Sequence, residues 1–287
     1  MNPLRSLLLL ACLAAPLPTR TAAAQERPSG IYCSCGVTNA AGGSSDTPTI
    51  AARPFVDGIL VRVPWSDLEP SPGVYDWSLI EDQVTKVASH GKRIALGIVQ
   101  GDGGTPAWLA GLGAQMVIYT FSGNVRTIAV PWDAVYVARW TSFVAALGAK
   151  FKDEATIDLV HATHATHNGF EMQLPFGEQQ QYLGLGYTDE LYAQSWTAVL
   201  DAFAAAFPKA WIDVDVHPIW GSDAVAAAVL DHGLATIGDR FGAFGAWWSE
   251  KNALEVYTGM YALFLATALQ SFTTVQNVGS WITTPER

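Results

Sequence analysis

The residues best suited to chemistry gather in the middle of the chain. Glu171 sits in the stretch HATHNGFEMQLP, just beyond an apolar run, with His167 and Asn168 close by. A carboxyl among such neighbours can take up or give a proton, as a general acid or base does. Over 211–217, alternation puts Asp213, Asp215 and His217 on one face and Val214 and Val216 on the other. Asp213 lies deeper and reads as structural; His217, at the end of the run, reads as a ligand contact. Arg62 is a lone charge inside an apolar run, and burying a charge is costly unless a carboxylate meets it. Three of the 6 histidines lie at 161, 164 and 167. That stretch leaves a strand, not a helix, and no Cys or carboxylate stands at a familiar ligand interval. The expectation is therefore no metal and no cofactor. Trp65, Trp108, Trp220, Trp247 and Trp248 fall at the ends of apolar runs or in the loops after them. Indole faces there can stack on ring-shaped ligands; core packing is the plainer alternative, and it must account for Trp140 and Trp196.

The elements that would hold these residues alternate. Apolar runs of strand length cover 31–36, 57–64, 92–99, 157–162, 210–216, 241–248 and 272–278. Continuous runs of this kind belong to parallel strands buried on both faces. Between them, 77–90, 132–151, 188–207, 222–234 and 254–269 carry apolar residues at helical spacing. Residues 37–56 read as a loop, and 115–131 as a hairpin turning at Ser122-Gly123-Asn124. Alternating strands and helices imply right-handed βαβ units and a parallel sheet. No G-x-G-x-x-G, P-loop, HExxH or GxSxG motif is present. A (β/α)8 TIM barrel fits best; about seven core strands are legible, so either the eighth is missed or the barrel is incomplete at its C-terminal end.

Composition excludes several classes. Hydrophobic residues make up 50% and charged residues 15%, which rules out disorder. Only 3 cysteines rule out a disulfide-stapled module. The net charge of −10 argues against nucleic acid and anionic membranes as partners. Arg5, the apolar stretch to Leu17 and Ala22-Ala23-Ala24 read as a signal peptide over 1–24, leaving 25–287 as one domain that is secreted or periplasmic. Cys12 offers the alternative of a lipid anchor. No later run is long enough for a membrane span. In an oxidising compartment Cys33 and Cys35 could bridge, but a bridge across one residue is strained, and two buried thiols are as good a reading.

The segment 58–109 carries a resemblance. A strand ends in Arg62 and Trp65; Leu68-Glu69-Pro70, Gly73 and Tyr75-Asp76-Trp77 follow; a helix leads to Gly91-Lys92, a strand and Thr105-Pro106-Ala107-Trp108-Leu109. This succession resembles the barrel of clan A glycoside hydrolases, in particular the β-galactosidase-like family 42 and its cellulase-like relatives. Pro131-Trp132-Asp133 with Tyr136 and Trp140 also fits the helix before the fourth strand.

The resemblance implies cleavage of a glycosidic bond by two carboxyl groups, one protonating the leaving oxygen and the other attacking the sugar or activating water. In such barrels the reactive groups sit at the C-terminal ends of strands. It makes Glu171 the acid/base, although Asn168 precedes it by three residues where the families have one. It places a nucleophilic Glu at the end of the seventh strand, where this chain has Gln276 and Asn277. Glu250, after 241–248, and then Glu286 are the remaining candidates. It makes Arg62 a support for the nucleophile; a structural salt bridge is an equal reading. Trp65, His167, Asn168, His217, Trp247 and Trp248 become substrate contacts. Three expectations follow: a secreted, retaining glycosidase acting on a poly- or oligosaccharide; a carbohydrate-binding barrel that has lost its nucleophile; and, third, a metal-dependent hydrolase using the histidines.

Overall fold

The computed structural model describes residues 26–37 and 46–277. The expected leader, Cys12 and Glu286 lie outside them, and so does the side chain of Cys35. Cys33 is half-buried.

Seven strands form one parallel sheet: β1 (Tyr32–Val37), β2 (Gly58–Pro64), β3 (Arg93–Val99), β6 (Ile157–Ala162), β7 (Trp211–Asp215), β8 (Phe241–Trp248) and β9 (Phe272–Asn277), neighbours in that order. β4 (Met116–Phe121) and β5 (Asn124–Ala129) form a separate antiparallel hairpin. The sheet curls into an incomplete barrel; among the described residues β9 does not pair with β1. Its outer face (Val61, Leu96, Val160, Val214) joins the main core against the helices α3 (Ser78–Ala88), α5 (Ala134–Phe151), α7 (Asp189–Ala206), α8 (Ala224–Thr236) and α9 (Thr258–Ala268). Its inner face carries a smaller apolar cluster of Leu60, Ala95, Leu159, Phe170, Phe244 and Phe272. Burial on both sides explains the unbroken apolar runs.

The inner face is also where charge enters. Arg62, Gly97, His161, Asp213 and Gly242 are register neighbours across five strands. His161 Nδ1 lies 2.5 Å from Asp213 Oδ1, and Thr274 donates to the other oxygen of that carboxylate. Asp213 is fully buried there, at the depth its place in the run suggested. Lower down, the β3–β6 register jumps from Ile94–Ile157 to Ala95–Leu159, which leaves Asp158 as an extra residue. This bulge lets Asp158 accept the Tyr32 hydroxyl at 2.8 Å across the sheet.

On the helix side, α2 (Trp65–Leu68) begins directly at the end of β2. It turns Trp65 away from the barrel mouth into an aromatic cluster with Trp108, Tyr136, Trp140 and Phe143. Glu69 is buried beneath it. Its carboxylate accepts from Trp65 Nε1 and the Gly73 amide, each at 2.7 Å, and pairs with Arg139 at 2.6 Å.

Two expectations need correction. The loop over 37–56 contains a short helix, α1 (Thr47–Ala51), opened by Pro48 and docked on α3 through a Thr47 hydroxyl bond to Gln83 at 2.6 Å. The helix over 254–269 is not continuous. A wide π-type turn, Asn252–Val256, precedes Tyr257, which leaves helical geometry, and α9 starts only at Thr258. The break carries the Tyr257 ring to His217, 5.3 Å away. The hairpin turns at Ser122 and Gly123, both at positive φ (49° and 76°), the geometry of a type I′ turn.

Candidate active site

The loop after β6 is held from within. Asn168 Oδ1 accepts the amides of Phe170 (3.0 Å) and Glu171 (2.8 Å), an Asx turn. The His167 amide donates to the Gln173 carbonyl at 2.8 Å. Gly169 has φ +71°, and a Cβ there would meet the Gly101 nitrogen at 2.3 Å, so backbone packs on backbone. Phe170 then drops into the barrel. Its ring occupies the space above Gly97, where a Cβ would lie 2.2 Å from it, and it touches His161, Phe244 and the Arg62 guanidinium. With Phe170 pointing in, its neighbour Glu171 sits at the mouth, three-quarters buried. Gly169→Ala is expected to lower stability by more than about 1 kcal/mol and to lower activity with it; melts and assays of the same sample check both.

Two side chains meet the Glu171 carboxylate. Gln173 Nε2 donates to its Oε2 at 2.8 Å. His217 Nε2 stands 3.8 Å from the same oxygen, and His217 Nδ1 lies 2.6 Å from Asp215 Oδ2. Asp215 is fully committed: Oδ2 also accepts the Met172 amide (2.8 Å), and Oδ1 accepts the Ala246 amide (3.2 Å). It therefore orients His217 and anchors the loop. Burial, and next the Asp215 charge, raise the Glu171 carboxyl above the usual carboxylate range, against the opposing pull of His217 and the Asn168 and Gln173 amides. Burial alone would lower His217, but the Asp215 and Glu171 carboxylates outweigh it, and its pKa is raised. Burial lowers Arg62 while Glu171 opposes the shift. The Arg62 guanidinium donates to Ser34 Oγ at 3.2 Å. Burial raises the Tyr257 hydroxyl, reinforced by Glu171 and Asp215. The result is a partly buried carboxyl that keeps its proton to higher pH than usual, with a histidine, an arginine and a tyrosine acting on it. That arrangement can deliver a proton to a leaving oxygen.

The sequence candidates divide. Glu171, Arg62, His217 and Asn168 come together, Asn168 through its grip on the loop backbone. His167 lies on the same loop beneath the hairpin, its Nδ1 3.2 Å from the Tyr119 hydroxyl. Trp65, expected in the cleft, is fully buried on the helix side. Trp247 is 3% exposed, with its Nε1 bonded to the Val216 carbonyl at 2.6 Å, and Trp248 packs on Tyr261 and Phe264 of α9. Both indoles serve the helix-side core. Glu250 is exposed just after β8, the sixth strand of the sheet. Gln276 is half-buried and Asn277 exposed at the end of β9. Sequence reasoning left Asp215, Gln173 and Tyr257 without roles; for Asp215 the signal was present, on the same alternating face as His217.

The three spaced histidines part ways. His161 faces Asp213 inside the barrel and His167 faces Tyr119. His164 is fully buried, held between the Tyr136 hydroxyl (2.8 Å) and Ser195 Oγ (2.9 Å), and burial pushes its pKa down to about 3. Because Ser195 donates to the Pro131 carbonyl, His164 carries its proton on Nε2. Among the described residues no group of three His, Cys, Asp or Glu side chains is placed to hold a metal ion.

The family model for beta-galactosidase, glycoside hydrolase family 42, matches residues 59–173, from β2 to just past Glu171. Solved structures are similar in fold. The catalytic domain of β-amylase from Paenibacillus polymyxa is 11% identical, over 82% of this chain and 81% of that one, with a TM-score of 0.55. The β-galactosidase of Bacillus circulans sp. alkalophilus is 12% identical, over 82% of this chain and 42% of its own, with a TM-score of 0.52. That of the psychrophilic Marinomonas ef1 is 11% identical, over 76% and 41%, with a TM-score of 0.50. The chain spans about two fifths of each β-galactosidase. No curated protein matches in sequence. The likeness is one of fold, a curled parallel barrel sheet with helices outside it, with seven strands among the described residues.

Proposed function

We propose that the chain is a glycosidase that cleaves O-glycosidic bonds of a poly- or oligosaccharide, with Glu171 as its proton donor. One observation carries the reading. Glu171 stands at the end of the fourth strand of a glycosidase-type barrel, and burial and Asp215 keep its proton on to higher pH. Arg62, His217 and Tyr257 supply donors for sugar hydroxyls around it. A retaining mechanism needs a second carboxyl about 5–5.5 Å away. Asp215 already spends both oxygens on amides and His217, and Glu250 is exposed, which leaves Glu286 as the remaining candidate. A second reading, a carbohydrate-binding barrel without turnover, is favoured by Gln276 and Asn277 at the end of β9. Reducing-sugar release from a glycan panel, run beside calorimetric binding to the same glycans, separates the two. Release that disappears in Glu171→Gln supports the glycosidase. Binding without release supports the alternative, and neither sinks both. The anomer formed first, read by proton NMR, decides between retention and inversion.

The same reading includes export, motivated by Arg5, the apolar stretch and Ala22-Ala23-Ala24. N-terminal sequencing of protein from its native host is expected to begin at Gln25. A cytoplasmic protein starting at Met1 would overturn this, and a lipid-modified Cys12 would establish the anchored alternative. Among the described residues no helix is long and apolar enough to cross a membrane.

A further inference from the structure

The surroundings of Glu171 differ sharply in polarity from one side to the other. From β2, β7 and the turn after β8 come Arg62, Asp215, His217 and Tyr257. The hairpin lays its Tyr119 and Phe121 face over His167, on the loop that carries Glu171. The Tyr119 hydroxyl donates to the His167 carbonyl at 3.2 Å, and the Phe121 ring stands edge-on to His167 at 4.5 Å. Phe176 approaches the same imidazole at 6.2 Å. Next along the rim, Trp220 Nε1 donates to the Pro175 carbonyl at 3.4 Å. Phe121 and Phe176 remain 44% and 65% exposed, two large apolar rings facing solvent at the mouth. The wall is tied to the acid: the His167 amide bonds Gln173, whose side chain bonds Glu171 Oε2.

The wall presents rings, with Glu178 as a charge acting on Tyr119. Burial lowers the pKa of His167, which favours its neutral form. At its edge Arg126 and Asp102 neutralise each other at 3.0 Å. Sugar hydroxyls need donors and acceptors, and phenyl rings have none, so the wall suits a group without hydroxyls. A general acid protonates the oxygen that joins sugar to leaving group, so the two lie on either side of it. The polar side then takes the sugar. We propose that the Phe121–His167–Phe176 wall binds an apolar, alkyl or aryl, aglycone. This rests on the glycosidase reading and names a substrate class for the same site.

The test compares octyl with methyl β-D-glucosides and β-D-galactosides. Both leaving groups are simple alkoxides of nearly equal basicity, so a difference reports binding and not leaving-group activation. The parent protein is expected to show a KM for the octyl glycoside at least about tenfold lower than for the methyl one. The double variant Phe121→Ala/Phe176→Ala brings that ratio close to one. Ile118→Ser/Val125→Ser, on the far face of the hairpin (59% and 73% exposed), keeps it. Equal KM values in the parent, or a ratio that survives in the phenylalanine double variant, would overturn the proposal. If no glycoside is turned over, the glycosidase reading fails separately. Calorimetric titration with octyl glucoside below its micelle concentration then reads the wall alone. Binding tighter than that of methyl glucoside, and lost in the double variant, upholds it; equal binding, or none lost, overturns it.

Discussion

Glu171→Gln is expected to lower turnover of unactivated glycosides by about 10²–10⁴-fold, the usual contribution of a general acid. Aryl glycosides with acidic leaving groups lose much less in the bond-breaking step, because their oxygens leave without a proton. In a retaining enzyme, azide then restores turnover of those substrates, since a small anion needs no general base. Equal rates for parent and variant on every substrate would remove Glu171 from the mechanism. The same change has a stability effect of opposite sign. A carboxyl whose pKa is raised on folding contributes stability below its unfolded value and loses it as pH rises through the folded value. As pH rises above the unfolded value the parent carries a growing cost of buried charge that Gln lacks. The variant is therefore expected to melt higher than the parent at pH 7, with the gap closing near pH 4. An inactive protein that melts higher separates lost chemistry from lost structure.

Glu69→Ala is expected to cost roughly 3–5 kcal/mol, the range for removing one partner of a buried ion pair, and so to lower the melting temperature on the order of 10 °C. The carboxylate is fully buried and satisfies Arg139, the Trp65 indole and the Gly73 amide together. Arg139 keeps 27% of its side chain exposed and can turn to water, which favours the lower end of the range. Glu69→Gln keeps oxygen and shape but loses the charge, and is expected to fall between Ala and the parent. A denaturant melt of Glu69→Ala within about 1 kcal/mol of the parent would show that the cluster repacks without it. Glu69 belongs to the Leu68-Glu69-Pro70 triplet that drew attention to the barrel in the first place. It braces Trp65 and Trp108 at the end of the second strand.

How far the sequence could be read depended on whether one signal had one meaning. Ile157–Ala162 and Phe241–Trp248 stood out with their boundaries because both faces of each strand are buried and nothing polar blurs their ends. The hairpin was legible from Ser122-Gly123, residues that tolerate the left-handed backbone its turn requires. The position of Glu171 followed from counting strands. The tryptophans carried an ambiguous signal, since an indole at a strand end can face the cleft or the helices. For Trp65 the short helix α2 decides, and for Trp247 and Trp248 the contacts with Val216 and α9. Asp215 and Asp213 alternate on the same face, and only the loop amides that fold back onto Asp215 distinguish them. Tyr257 was hidden because the sequence periodicity over 254–269 runs straight through the π-type turn that swings its ring to His217.

Phe170 and Glu171 are consecutive residues that face opposite ways, one into the barrel and one toward its mouth. The carboxyl therefore inherits the mutational sensitivity of the interior. A larger residue at Gly97 would displace the Phe170 ring, and a smaller one at Phe244 would leave it loose. Either change would shift Glu171 without touching any group around it, and the two sites would be coupled to Glu171 non-additively. Drift in the sequence around Glu171 is thus constrained from below as well as from the cleft. A library that varies only the mouth would leave much of that epistasis unsampled.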